Sequence, residues 1–187
     1  NETVNVGAGT FIEDININQT LVVCGAGPAS TTISGAIGGA GSTVAITANN
    51  VEFKNFKVTR EGNTAGTWND PNLNSAGLSI QGQAVTGANI HDNLFMQNRS
   101  GIDINNSNGH TVRNNVLTDN RTGLIFRNQT DNLTVVENEI TNNWTVGVLF
   151  LDASGGTNSP VQTAANCTFS NNNISSNWYG QIVDRQS

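Results

Sequence analysis

The sequence predicts an all-β chain wound into a right-handed parallel β-helix, a solenoid of about seven coils. Three observations carry this prediction. One phrase recurs four times: Asn93, Asn115, Asn138 and Asn172 are each followed two residues later by an apolar side chain (Phe95, Leu117, Ile140, Ile174) and five later by a second Asn (Asn98, Asn120, Asn143, Asn177). The first asparagines stand 22, 23 and 34 residues apart, and a period in the low twenties marks a stacked repeat. Short apolar-alternating stretches fill the intervals, with Gly or Asn at their corners.

Taken in chain order, residues 4–11, 15–17, 21–24, 31–35 and 44–46 read as strands separated by Gly or Asn corners, and residues 51–58 alternate with period two. Residues 60–75 interrupt the coils and contain Trp68, Asp70 and Pro71. The four repeats follow, and a second insertion over residues 152–165 accounts for the long third spacing. Residues 1–187 read as one domain with these two loops. Asparagines at one corner of successive coils can join their amides into ladders, here Asn93, Asn115, Asn138, Asn172 and Asn98, Asn120, Asn143, Asn177. The Gly after each second Asn (Gly101, Gly123, Gly147, Gly180) is expected to supply a positive φ or a close backbone approach. Gly147 comes one residue late, so its corner should bulge.

Residues 6–35, VGAGTFIEDININQTLVVCGAGPASTTISG, resemble the opening coils of right-handed β-helices of the pectin-lyase-like superfamily. The later Asn-x-Ile-x-x-Asn phrases resemble the repeats of its carbohydrate-binding and sugar-hydrolysis branch. The resemblance covers nearly the whole chain. It implies the fold and leaves the activity open, because the branch spans lyases, hydrolases, epimerases, tailspikes and inert surface modules. Members of that superfamily usually carry a capping helix before the first coil. This chain starts inside a coil and ends on an apolar strand, so its ends are expected to be covered by more chain or by another subunit.

The composition holds 31 Asn, 20 Gly and only 2 Lys, with 12% charged residues and a net charge of −6. Eight scattered cations make no basic patch, so nucleic acid is not an expected partner. No apolar run reaches membrane-spanning length. Cys24 and Cys167, about six coils or ~29 Å apart, are expected to be free, mostly buried thiols.

The carboxylates form no adjacent pair in the expected stacking: Asp92 falls with Asn114 and Glu137, Asp119 with Gln97 and Asn142, and Asp103 with Ile125, Leu149 and Ile182. Glu137 and Glu139 share a coil and read as solvated strand charges. His91 and His110 read as surface or turn residues, and no three His, Cys or Asp have ligand spacing. No catalytic residues and no cofactor are expected; weak Ca2+ binding by turn carboxylates stays open. Ten Asn-x-Ser/Thr sequons occur, of which Asn128 and Asn132 are the accessible candidates.

The middle residues of the post-Gly strands are expected to face outward. Ile125, Leu149 and Ile182, with Leu151 alongside, then form an apolar stripe, read either as an interface or as the seat of the 152–165 loop. The leading expectation is an extracellular or cell-surface structural or adhesive module that self-associates or belongs to a larger surface protein. The alternative is a carbohydrate-active protein, a polysaccharide-binding module or a lyase or hydrolase, with Trp68 as the candidate glycan contact.

Overall fold

The computed structural model describes residues 1–36, 41–67, 70, 76–82 and 84–186. Among these residues, 21 strands, numbered along the chain, form three seven-stranded parallel sheets, and every third strand returns to the same sheet. Sheet A contains β1 (Glu2–Val6), β4 (Leu21–Gly25), β7 (Glu52–Lys54), β10 (Asn89–His91), β13 (Thr111–Arg113), β16 (Thr134–Val136) and β19 (Thr168–Ser170). Sheet B contains β2 (Gly9–Ile12), β5 (Thr31–Gly35), β8 (Lys57–Arg60), β11 (Leu94–Phe95), β14 (Val116–Thr118), β17 (Glu139–Thr141) and β20 (Asn173–Ser175). Sheet C contains β3 (Ile15–Ile17), β6 (Val44–Ile46), β9 (Ala76–Gln81), β12 (Ser100–Asn105), β15 (Thr122–Arg127), β18 (Val146–Leu151) and β21 (Gly180–Arg185). The chain is a right-handed parallel β-helix of about seven coils.

The alternating sequence explains the core. Phe53, Ile90, Val112 and Val135 stack inward from sheet A, Val58, Phe95, Leu117 and Ile140 from sheet B, and Leu78, Ile102, Leu124 and Val148 from sheet C. Each strand is too short to bury itself, so the apolar side chains lose water only when coils stack.

Two asparagine columns close the corners. At the A–B corner Asn93 Nδ2 donates to Asn115 Oδ1 (3.0 Å), Asn115 to Asn138 (3.1 Å) and Asn138 to Asn172 (2.9 Å). At the B–C corner Asn98 donates to Asn120 (3.1 Å), Asn120 to Asn143 (3.2 Å) and Asn143 to Asn177 (2.8 Å). Phe56 N donates to Asn93 Oδ1 above the first column, and Gln181 Oε1 accepts from Asn177 Nδ2 below the second. The left-handed backbone falls on the residue before each Asn: Asp92, Asn114, Glu137, Asn171 and Gln97, Asp119, Asn142, Ser176 have φ between 52° and 59°. The repeat glycines serve close approach instead. A Cβ on Gly101 would stand 2.6 Å from Gly123 O, and one on Gly123 2.7 Å from Gly147 O.

The last two coils correct the expected register. Val146 pairs with Gly180 and Val148 with Ile182, because one extra residue enters the B–C corner in both coils. Gly180 therefore does not continue the glycine column; a Cβ on Gly147 would meet Gln181 O. Asp103, Ile125 and Leu149 continue into Val183, not Ile182. The thiols are half-buried rather than mostly buried. Cys24 lies on β4 and Cys167 just before β19, five ladder steps or roughly 24 Å apart.

Candidate functional site

Sheet A builds an ionic chain on its outer face. Its outward columns run Val22, Glu52, Asn89, Thr111 and Cys24, Lys54, His91, Arg113. Glu52 and His91 thus stand diagonally on adjacent strands. His91 Nε2 is 3.1 Å from Glu52 Oε1, and Nδ1 is 2.5 Å from Asp92 Oδ2. Lys54 Nζ donates to the same Glu52 oxygen at 2.5 Å. Asn114 Nδ2 donates to the other Asp92 oxygen from the next coil. Asp92 stands in a left-handed turn, with φ 57° and its side chain 36% exposed.

This arrangement fixes charge. The Lys54 hydrogen bond, helped by His91 and opposed by partial burial, holds the Glu52 carboxyl below its usual range. Glu52 in turn raises the Lys54 ammonium. Burial pushes Asp92 upward, but hydrogen bonds from His91 and Asn114 together outweigh it and leave the carboxyl lowered. Two ionised carboxylates therefore flank one imidazole at neutral pH.

Asp92 and Asn114 also rim a cleft of about 590 Å³ at the A–B corner, floored by Leu94, Val116 and Pro28, with Asn55 among its lining residues. The cleft combines an apolar floor with carboxylate and amide edges. It can hold a flat ligand face while exchanging hydrogen bonds with the ligand's rim.

Sequence reasoning missed this cluster. The repeat spacing sets Asp92 against its own column alone, whereas its acidic neighbour Glu52 lies diagonally, one coil earlier and across the first insertion. Neither histidine is a surface residue: His91 is buried among its ion partners, and His110 is buried with Nδ1 accepting from Ala88 N and Nε2 bonded to Ser107 Oγ. Burial depresses the His110 imidazole to about 4.

The expected apolar stripe is broken. Ile125 is only 3% exposed, because it sits beside the buried Asp103 and the diagonal from Arg127 to Asp103 borders it. Ile182 belongs to the inward column of sheet C, on a strand that pairs only with β18 among the described residues, and is 54% exposed there. Leu149 and Leu151 are half-buried on the outer face. Trp68 lies outside the described residues. Glu137 and Glu139 are exposed, Asn132 is exposed and Asn128 is half-buried.

The soft donors do not converge. Cys24 and Cys167 are five coils apart, Met96 lies at the end of β11, and both histidines have each ring nitrogen hydrogen-bonded within the protein. Among the described residues, no three His, Cys, Asp or Glu side chains are grouped to hold a metal ion, and no helix is long and apolar enough to cross a membrane.

A family model described as "Periplasmic copper-binding protein (NosD)" matches residues 3–159. No curated protein matches. Among solved structures, a pectin methylesterase from Yersinia enterocolitica superposes with TM-score 0.59 at 10% identity, covering 81% of this chain and 51% of that one. A pectin methylesterase in complex with a hexasaccharide superposes with TM-score 0.52 at 10% identity, covering 89% of this chain and 61% of the other. At such identities the likeness is one of fold. The chain spans about half the length of the Yersinia enzyme.

Proposed function

The chain belongs to the NosD family, and from that premise we propose that it is an extracytoplasmic β-helical module that binds a glycan chain at the A–B corner cleft. The observation that carries this reading is the pairing of an apolar floor, Leu94 and Val116, with the charge-fixed rim of Asp92 and Asn114. A sugar ring has an apolar face and a hydroxyl edge. It meets both features at once, with hydroxyls donating to the lowered Asp92 carboxylate. The superposed hexasaccharide-bound pectin methylesterase supports the reading as an example of the fold carrying a glycan, and contributes no residue to it. The family's name speaks of the periplasm, which agrees with an extracytoplasmic location.

The same name speaks of copper. The described residues do not fit a copper centre. Imidazole, thiolate and thioether ligands would have to meet at one point, yet here they are separated by coils or held in internal hydrogen bonds.

A structural or adhesive role through self-association has less support. Two of its four candidate contacts are not available on that face: Ile125 is buried on it, and Ile182 stands in the inward column.

The test is a glycan array, followed by titration of the strongest ligand into the wild-type chain and Asp92→Asn. Asn adopts the left-handed turn readily but removes the charge. Affinity should fall at least tenfold in a folded variant that melts somewhat lower, because the carboxylate's bonds to His91 and Asn114 are weakened. Equal affinity in the variant rejects the cleft as the site, and a blank array rejects the function.

A further inference from the structure

The corner that leads from sheet C into sheet A places one left-handed residue at the same point of successive coils. Asn50, Gly87, Gly109, Asn132 and Asn166 are equivalent there, and all have φ between 53° and 72°. Gly and Asn adopt this conformation most readily. Two residues later the chain has entered sheet A, where Glu52, Asn89, Thr111, Thr134 and Thr168 are register partners on its outer face. The last two coils thus join an Asn to a Thr, as Asn132-Leu133-Thr134 and Asn166-Cys167-Thr168, two of the ten Asn-x-Ser/Thr sequons.

The fold separates these two from the other eight. Asn98, Asn120 and Asn143 are buried in the B–C column. Ser107 and Thr130, which supply the hydroxyls of the Asn105 and Asn128 sequons, are buried. Asn1 Nδ2 donates to Asn50 O, Thr20 Oγ1 donates to Asn49 O, and Ser175 Oγ donates to Asn173 Oδ1. The sequons at Asn1, Asn18 and Asn173 therefore each have a member engaged. At Asn132 and Asn166 neither the side-chain amide nor the Thr hydroxyl bonds to another described residue. Both asparagines and Thr168 are exposed, and Thr134 is half-buried. Gly87 and Gly109 meet the same backbone demand, so the turn itself does not call for an amide.

We propose that Asn132 and Asn166 form an acceptor patch for asparagine-linked glycosylation, presented by the folded chain. Parallel stacking sets their Cα atoms about 4.8 Å apart. The co-reactant is a glycosyl diphosphate, delivered by a sequon-reading transferase. The asparagine Nδ2 attacks the anomeric carbon, an N–C bond forms, and the C–O bond to the diphosphate breaks. The diphosphate leaves with that electron pair, and Nδ2 gives up one proton to a base of the transferase. The Thr two residues on completes the recognised sequence, and here its hydroxyl stands on the outer face of sheet A. The patch takes up sugar covalently. It is separate from the A–B corner cleft and shares with that proposal only the extracytoplasmic location.

The test is tandem mass spectrometry of the full chain purified from the extracytoplasmic fraction of its native source. Peptides holding Asn132 or Asn166 should carry a glycan mass, and those holding Asn98, Asn105, Asn120, Asn128 and Asn143 should be bare. The double variant Asn132→Gly, Asn166→Gly should fold, because Gly87 and Gly109 already occupy the equivalent turns, and should lose the added mass. The double variant Thr134→Val, Thr168→Val keeps both asparagines and should lose it equally. A bare wild-type chain, a glycan on any of the five other asparagines, or a glycan that survives the Val variant overturns the proposal. Absence of the chain from that fraction overturns it together with the location. The glycan array reads the cleft alone, so failure there and failure here are separate results.

Discussion

Replacing Asn120 by alanine tests the corner columns most sharply. Its side chain is 0% exposed and sits in the middle of the B–C column. Its Oδ1 accepts from Asn98 N and Asn98 Nδ2, both at 3.1 Å, and its Nδ2 donates to Phe95 O (3.0 Å), Thr118 O (3.0 Å) and Asn143 Oδ1 (3.2 Å). Alanine strands the Asn98 amide and at least one carbonyl where water cannot reach them. At about 1–3 kcal/mol for each stranded group, the loss comes to roughly 3–5 kcal/mol, a large part of the ~5–15 kcal/mol that holds an ordinary domain together. Asn172 is the control. It makes the same kind of contacts, donating to Val135 O and accepting from Asn138, but is only part-buried at the end of its column. Water replaces those partners, so Asn172→Ala should cost about 1–2 kcal/mol. Asn120→Asp should be worse than alanine, because it aims a charge at Phe95 O and Asn143 Oδ1. Urea unfolding of the three variants gives the answer. Equal losses at positions 120 and 172, or a milder effect of Asp than of Ala, would refute the argument.

Other perturbations follow from the same geometry. Glu137 holds φ 59° with an exposed side chain, so Glu137→Gly relieves left-handed strain and should stabilise by about 0.5–1 kcal/mol in thermal unfolding. Gly123→Ala places a Cβ 2.7 Å from Gly147 O and 2.7 Å from Ile140 Cγ2, and should destabilise by about 2 kcal/mol or more in urea. The His110 imidazole titrates at about 4 in the folded chain against 6.5 when free, so below pH 6.5 the unfolded state takes up a proton that the folded state refuses. Stability should fall by about 3 kcal/mol as pH drops from 6.5 to 4, and His110→Gln should flatten that slope in pH-dependent unfolding. The lowered carboxyls of Glu52 and Asp92 act further down: their contribution is present above the ordinary carboxylate range and is lost as pH falls through their folded values.

The coil architecture was legible because its signal is local. The apolar residue two after each first Asn and the glycine beyond the second Asn recur within one coil, and stacking only repeats them. The sites were not legible, for three separate reasons. The neighbours of His91 come from different coils across an insertion, so no spacing joins Glu52 to Asp92. The left-handed residue before each Asn varies in type, from Asn and Asp to Glu, Gln and Ser, and leaves no motif. The outer stripe failed at its two ends, at Ile125 because Asp103 and Arg127 pair beside it, and at Ile182 because one extra corner residue shifts β21 and period two exchanges its faces.

The most direct measurement for the A–B corner cleft is an amide-resolved NMR titration with the strongest neutral oligosaccharide from the array. Shifts should be confined to Asn55, Asp92, Leu94, Asn114 and Val116 and be lost in Asp92→Asn. Shifts elsewhere on the coil surface, or shifts that persist in the variant, would contradict the assignment of the cleft.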